Sequence, residues 1–246
     1  MTRGHYSVEH YADADVAAGF DALRFGGPIG QLVGEREAEV LTAFAGDVAG
    51  AEVLDVGTGT ARGALVLASR GARVTGLDYS REMLAVGQAR VAKAAAAVGL
   101  LRGDARHLPF PDRRFDVTVS LRLLMHVPDW RGCLAELCRV TRRRLVFDYP
   151  ARASAAALQA VGRRVLHGLG RPTEPYRVFA DGAIDDACRA AGFRVRRRQR
   201  HFVLPIALHK TIGARGFTQG SEATLSAIGL TSLFGSPVTL LAERED

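Results

Sequence analysis

The stretch Glu52-Val53-Leu54-Asp55-Val56-Gly57-Thr58-Gly59-Thr60-Ala61-Arg62 decides how this chain folds. A short apolar run halts at two glycines one residue apart, and a helical pattern resumes at once over Ala61–Arg70, with Gly71 to cap it. This is the pattern of a buried strand entering a tight turn before a helix. Glycines in such a turn let backbone approach a ligand, and the next helix offers its first N–H groups to the same place. Two ligand classes compete for that arrangement. In a dinucleotide fingerprint G-x-G-x-x-G the third glycine falls at position 62, where close helix–strand packing needs a small residue. Position 62 is arginine, and Asp55, two residues before Gly57, has no part in that fingerprint.

Outward from this unit, strand and helix patterns alternate. Arg73–Asp78 reads as a second strand, and Ser80–Ala97 as a helix behind a serine N-cap with Glu82 in its first turn. Leu100–Gly103, Phe115–Ser120 and Arg144–Asp148 read as further strands, with a helix at Trp130–Val140 after Pro128. Such alternation builds a parallel sheet with helices on both faces. The rhythm breaks after Pro150, with a helical segment Ala151–Leu169 and a turn at Gly170–Pro175. It returns as helix Asp181–Ala191, strand Val195–Leu204, a helix from Ile206 and a last strand Val238–Glu243. Ahead of everything, residues 11–25 and 29–45 carry the spacing of amphipathic helices. The predicted fold is α/β, Rossmann-like and doubly wound. It has a mostly parallel seven-stranded sheet and helical lid segments at the N-terminus and after strand five. One domain is expected, with an N-terminal cap at 1–48, a cofactor-binding core at 49–149, a helical lid insertion at 150–180 and the C-terminal part of the sheet at 181–246.

Composition narrows the class. The chain has 246 residues, 48% hydrophobic and 24% charged, an ordinary globular balance. No apolar run approaches the ~20 residues of a membrane helix, and Met1–His10 lacks the apolar stretch of a secretory signal. Cys133, Cys138 and Cys188 are odd in number and have no C-x-x-C spacing, which argues against a disulfide framework or a zinc knuckle; Cys133 and Cys138 read as buried packing on a helix. No metal is expected, and a cytoplasmic location is. The net charge of +7 raises nucleic acid or an acidic membrane surface as a partner. Lys93 and Lys210 are the only lysines among 33 basic residues, so the arginine excess also fits a general compositional bias.

Two further acids stand where strands end. Asp78 lies 21 residues after Gly57 and can accept both hydroxyls of a ribose. Asp104 can accept from an exocyclic amine such as adenine N6. With Asp55 they face the carboxyl edge of the sheet, where open α/β folds bind ligands. They suit a ligand with an amino group, ribose hydroxyls and a base, and would repel a pyrophosphate.

Asp55-x-Gly57-x-Gly59, Asp78-Tyr79-Ser80 with Met83-Leu84, Gly103-Asp104-Ala105 and Phe115-Asp116-Val117 before Ser120 resemble the motifs of class I S-adenosylmethionine-dependent methyltransferases. Leu124-Met125-His126-Val127-Pro128-Asp129 and the helix ending in Arg139-Val140 are similar to the small-molecule branch related to ubiquinone and menaquinone methyltransferases. The resemblance runs from about Val53 to Asp148. It implies S-adenosyl-L-methionine as cofactor. Asp55 and the Gly57-Thr58-Gly59 loop would hold the methionine part, and Asp78 the ribose. Tyr79 and Met83 would pack the adenine, Asp104 and the Ala105 N–H would read it, and the backbone at Ser120-Leu121 would touch the methionine amino group. Ala61 departs from the family by standing where many members carry a third glycine. Arg139–Leu145 replaces the usual Arg-Pro-Gly-Gly turn, which bears on the loop before strand five.

The expected reaction is in-line methyl transfer to a small acceptor, aromatic or lipid-like given the apolar cover helices. Candidate bases are His126, Asp148, Tyr149, His201 and His209, with His126 nearest the expected acceptor cavity. Tyr11, Phe20, Arg24, Tyr149 and Tyr176 are candidates to line the acceptor side. The alternatives are an RNA methyltransferase, raised by Arg142–Arg144 and Arg194–Arg200, and a non-catalytic S-adenosylmethionine-binding protein. The second arginine run equally fits an edge strand protected by charge. The acceptor atom and the oligomeric state are not encoded legibly.

Overall fold

The computed structural model describes residues 11, 13–169 and 176–245; the turn expected at Gly170–Pro175 and the segment Met1–His10 lie outside them. The chain enters through α1 (Ala14–Phe25) and α2 (Gly27–Ala45). It then alternates β1 (Glu52–Val56), α3 (Arg62–Ala68), β2 (Arg73–Asp78), α4 (Arg81–Ala94) and β3 (Val98–Arg102). Next come β4 (Phe115–Ser120), a 3-10 turn at Leu124–His126, α5 (Trp130–Val140) and β5 (Thr141–Tyr149). The remainder is α6 (Ala155–Gly168), α7 (Asp181–Ala190), β6 (Phe193–Phe202), α8 (Ile206–Ile212), α9 (Arg215–Ala227), α10 (Leu230–Phe234) and β7 (Ser236–Arg244).

The seven strands form one sheet in the order β3-β2-β1-β4-β5-β7-β6, parallel except for β7, which runs antiparallel to both of its neighbours. The order reverses between β1 and β4. At such a switch point the connections leave in opposite directions and open a crevice at the carboxyl ends. Period two assigns the faces. Leu54 and Val56 pack with α5 residues Leu134 and Leu137, whereas Val53 packs with Leu41 and Phe44 of α2. In β5, Leu145, Phe147 and Tyr149 join the first cluster and Val146 the second. Cys133, Cys138 and Cys188 are buried free thiols, and burial pushes Cys133 and Cys188 up to about 12.

Several boundaries differ from the sequence reading, each for a local reason. α4 ends at Ala94 because Ala95 turns left-handed at φ 48°, and β3 starts at Val98. β5 begins at Thr141 instead of Arg144. Its arginines tolerate the strand because Arg142 bonds Asp116 at 2.7 Å and Arg144 bonds Glu243 at 3.3 Å. β6 starts at Phe193 and lies at the sheet edge. The helix expected from Ile206 is three helices, interrupted at Gly213 and Gly229, whose φ of 70° and 82° stop helical geometry.

Candidate functional site

A cleft of ≈ 470 Å³ opens at the carboxyl edge of β1, β2 and β4, within the size range of small-molecule sites. Asp55, Gly57, Thr58, Gly59, Asp78, Tyr79, Met83, Asp104, Ala105 and Leu121 line it, together with Tyr11, Phe20, Arg24 and His126. The chain after β1 makes this possible. The N–H groups of Gly57 and Thr58 both donate to Leu77 O, at 2.7 and 3.1 Å, which folds the turn back on β2. Gly57 takes φ 74°, and a Cβ there would lie 3.1 Å from Leu123 Cβ, so glycine is needed for conformation and for space. Ala61 also takes a left-handed φ of 62° at the head of α3, a conformation that glycine adopts at lower cost.

The carboxylates differ in their settings. Asp55 is buried and accepts the Thr58 hydroxyl at 2.8 Å. Burial pushes its carboxyl up to about 6, against the pull of the Thr58 bond. Asp78 accepts the Gly59 N–H with Oδ2 at 2.8 Å and the Ser80 N–H with Oδ1 at 2.9 Å. Burial holds it above the usual carboxylate range. Each of its oxygens retains a lone pair for another donor. Asp104 is engaged differently: Arg106 clamps it through Nε and Nη2 at 2.7–3.1 Å, and the Arg106 hydrogen bond keeps it below its ordinary value. A ligand amine reaching Asp104 must share it with that guanidinium. Ser80 caps α4 by accepting the Met83 N–H at 3.0 Å and donates to Tyr11 O at 2.6 Å. Ser120, expected beside the methionine amino group, is buried at the end of β4, and its hydroxyl has no hydrogen-bond partner among the described residues.

The other end of the cleft is aromatic and then charged. Tyr11 stands edge-on to Phe20 and to His126, with ring centroids 6.0 Å apart in both pairs. The helix that carries Phe20 is fastened over the glycine turn by Asp21, which accepts the Thr60 hydroxyl at 3.1 Å and pairs with Arg90. Lys210 also donates to Leu23 O at 2.6 Å. Deeper, Arg122 adopts φ 58°; its N–H donates to Asp148 and its guanidinium pairs with Glu37. Burial pushes Asp148 up to about 6, with Arg122 opposing. Arg62 lies over the Phe25 ring at 3.9 Å.

Some candidates are not brought to the cleft. Tyr149 shares the face of Leu145 and Phe147, so it points into the core. Its hydroxyl donates to Asp181 at 2.9 Å, and burial pushes it up to about 12. It is corrected from acceptor-lining and base to core. Tyr176 lies outside the lining, because its hydroxyl donates to Ala156 O at 2.9 Å. His201 contacts Thr239 at 2.9 Å, and burial takes it down to about 4; His209 is fully buried beside Glu222. Neither histidine lines the cleft, and Asp148 acts on Arg122. The sequence reading missed Glu37, Arg62 and Arg122. Arg122 adjoins the Ser120-Leu121 motif and was within reach, whereas Glu37 is one acid on an amphipathic helix and gave no signal.

Residues 54–146, from β1 into β5, match the family model described as methyltransferase domain. This segment belongs to the class I S-adenosylmethionine-dependent methyltransferases. The demethylmenaquinone methyltransferase of Geobacillus kaustophilus is 44% identical over 98 residues, 38% of this chain and 42% of its own length. That of Thermobifida fusca is 42% identical over 135 residues, 52% of this chain and 57% of its own. The chain thus spans about half the length of the curated relatives it matches. The S-adenosylmethionine-bound magnesium protoporphyrin IX methyltransferase of Synechocystis shares the fold at a TM-score of 0.63 and 18% identity, covering 97% of this chain and 95% of that one. In the methyltransferase segment, Asp55, Asp78 and Asp104 stand at the ends of three sheet strands or just beyond them.

Proposed function

We propose that the chain transfers a methyl group from S-adenosylmethionine to a small aromatic or lipid-like acceptor, by in-line displacement within the cleft. The observation that carries this reading is the meeting, in one cleft, of Asp55, Asp78 and the glycine turn with the aromatic wall of Tyr11, Phe20 and His126. The donor set fits the cofactor. Asp78 has the lone pairs for two ribose hydroxyls, Asp55 is a buried anion for the amino-acid end, and Met83 and Tyr79 offer surfaces for the adenine. Asp104 and the Ala105 N–H read the adenine edge, and the Ser120-Leu121 backbone meets the methionine amino group. When bound, S-adenosylmethionine supplies a methyl already activated on sulfonium.

The chain's own work is positioning and exclusion of water. The helix α1, pinned through Asp21, roofs the cleft. His126 is the residue placed to take a proton from a phenol or quinol. A quinone-like acceptor is in keeping with the menaquinone-related relatives. We read residues 1–246 as one methyltransferase domain, working in the cytoplasm; among the described residues no helix is long and apolar enough to cross a membrane. An RNA substrate has less support, because five of the eight arginines in the two runs pair with carboxylates of the protein. Arg142 pairs with Asp116, Arg144 and Arg196 with Glu243, Arg198 with Asp185 and Arg200 with Asp181.

The test is transfer of tritium from methyl-labelled S-adenosylmethionine to a reduced 1,4-naphthoquinone. Label in the organic phase is expected, and His126→Ala should lower kcat by about 10²-fold with cofactor binding unchanged. No label in reduced naphthoquinones or in any acceptor of a cell extract would refute the reading.

Asp55 adds a pH dependence. With its folded value at about 6 against an ordinary 3.8, the buried proton stabilises the fold fully below about pH 4. That stability is lost as pH rises through about 6. A ligand ammonium favours the ionised form, so S-adenosylhomocysteine binding near pH 6 should release a proton. Calorimetry in buffers of different ionisation enthalpy reads this directly. The apparent enthalpy should follow the buffer for the wild type and much less for Asp55→Asn; equal slopes would contradict the contact.

A further inference from the structure

Between Asp148 and Glu174 the sequence holds no acidic residue but carries Arg152, Arg163, Arg164, His167 and Arg171. Within it, Leu158, Val161, Val165 and Leu169 recur at helical spacing and form one stripe along α6. A helix packed on a globular protein turns such a stripe inward. Here it faces water: Leu158 is 79% exposed, Val161 59%, Val165 56% and Leu169 74%, with Leu166 beside them at 44%. The protein holds the other side of the helix, where Ala160 is buried and Ala156 O receives the Tyr176 hydroxyl. A contiguous apolar stripe of this kind marks an interaction surface.

Charge selects the occupant. The helix has basic residues and no carboxylate, so it complements an anionic surface. Arg164 flanks the stripe, whereas Arg163 lies on the opposite side over the Tyr176 ring. Two copies packed stripe to stripe would bring the flanking Arg164 side chains together with no carboxylate on the helix to pair them. At 14 residues the helix is about 21 Å long, too short to span a bilayer and suited to lie in its interface. We propose that α6 is a membrane-surface helix that docks the protein on a bilayer containing anionic phospholipid.

Its position gives the docking a use. The chain from Tyr176 leads back to the cleft wall: the Arg177 N–H donates to Met125 O at 3.0 Å, and its guanidinium donates to Pro128 O at 3.0 Å. Val127 and Pro128 line the cleft. A docked α6 therefore sets the cleft beside the lipid phase, from which a lipid-like acceptor enters; this last clause rests on the proposed methyl transfer, and the docking itself does not.

The experiment is co-sedimentation of the full chain with vesicles of phosphatidylcholine, alone or mixed with phosphatidylglycerol. Binding about tenfold stronger to the anionic vesicles, and weakened by salt, is expected. The double variant Val161→Asp/Val165→Asp should lose about tenfold or more. Its thermal midpoint and its S-adenosylhomocysteine binding should match the wild type, because both side chains are exposed. Arg164→Glu, beside the stripe, should weaken the preference for phosphatidylglycerol. The proposal is overturned by equal sedimentation of wild type and Val161→Asp/Val165→Asp, or by none with anionic vesicles. A concentration-dependent dimer that Val161→Asp/Val165→Asp abolishes would equally overturn it, in favour of a second copy. Lost sedimentation with intact cofactor binding rejects the docking alone, and vesicle binding without label transfer rejects the enzymatic reading alone.

Discussion

Asp78→Ala is expected to weaken S-adenosylhomocysteine binding by at least about a hundredfold, read by isothermal titration, with little change in thermal stability before ligand is added. Asp78 does two things at once. It ties the Gly59 N–H to the start of α4 through the Ser80 N–H, and it presents one remaining lone pair on each oxygen to the cleft. Two hydroxyl bonds to a charged acceptor contribute about 1.5–3 kcal/mol each, and every 1.4 kcal/mol is about tenfold in affinity. The loss of stability is small because Gly59 and Ser80 line the cleft, where water can take their freed N–H groups, and because burial already disfavours the Asp78 charge there. Asp78→Asn keeps one acceptor and should fall between the two. A change of less than about threefold in Asp78→Ala would mean that the ribose is held elsewhere.

The second large effect lies away from the cleft. Glu222→Ala should lower the unfolding free energy by about 3–5 kcal/mol in urea. The Glu222 carboxylate is buried and accepts the Val203 N–H at 2.9 Å and the Leu204 N–H at 3.0 Å. It also receives His209 Nε2 at 2.9 Å. A carboxylate only accepts, so Nε2–H is the donor, and Nδ1 faces the Thr218 hydroxyl at 3.1 Å. The cluster fastens α8 and α9 to the end of β6, and α8 in turn holds α1 through Lys210. Removing the carboxylate strands three donors, each costing about 1–3 kcal/mol when buried and unmet. Glu222→Gln should recover part of the loss. A difference below about 1 kcal/mol would show that water reaches these groups on the native protein.

The two predictions mark the boundary of what the sequence disclosed. The carboxylates of the cleft were legible because a parallel strand buried on both faces is a short apolar run, and its end can be counted. Asp55 and Asp78 follow from that alone, and the sheet between β1 and β5 with them. Tyr149 was misplaced because β5 runs on to Tyr149, one residue past its expected end at Asp148, so the side chain continues the face of Leu145 and Phe147 into the core. The Arg122–Glu37 pair joins residues 85 apart and leaves no local trace. The Glu222 cluster was hidden likewise, since a histidine and a glutamate in polar helices look like surface. The segment Ala151–Leu169 was legible as a helix, and α6 occupies its middle, but a helical pattern does not say which side the protein keeps.

The decisive measurement is a crystal structure of the protein with S-adenosylhomocysteine. The ribose hydroxyls are expected on Asp78, the adenine against Met83 and the amino-acid end at Asp55, with the sulfur facing the Tyr11–Phe20–His126 wall. Ligand bound at another place, or a cleft that admits none at saturating concentration, would contradict it.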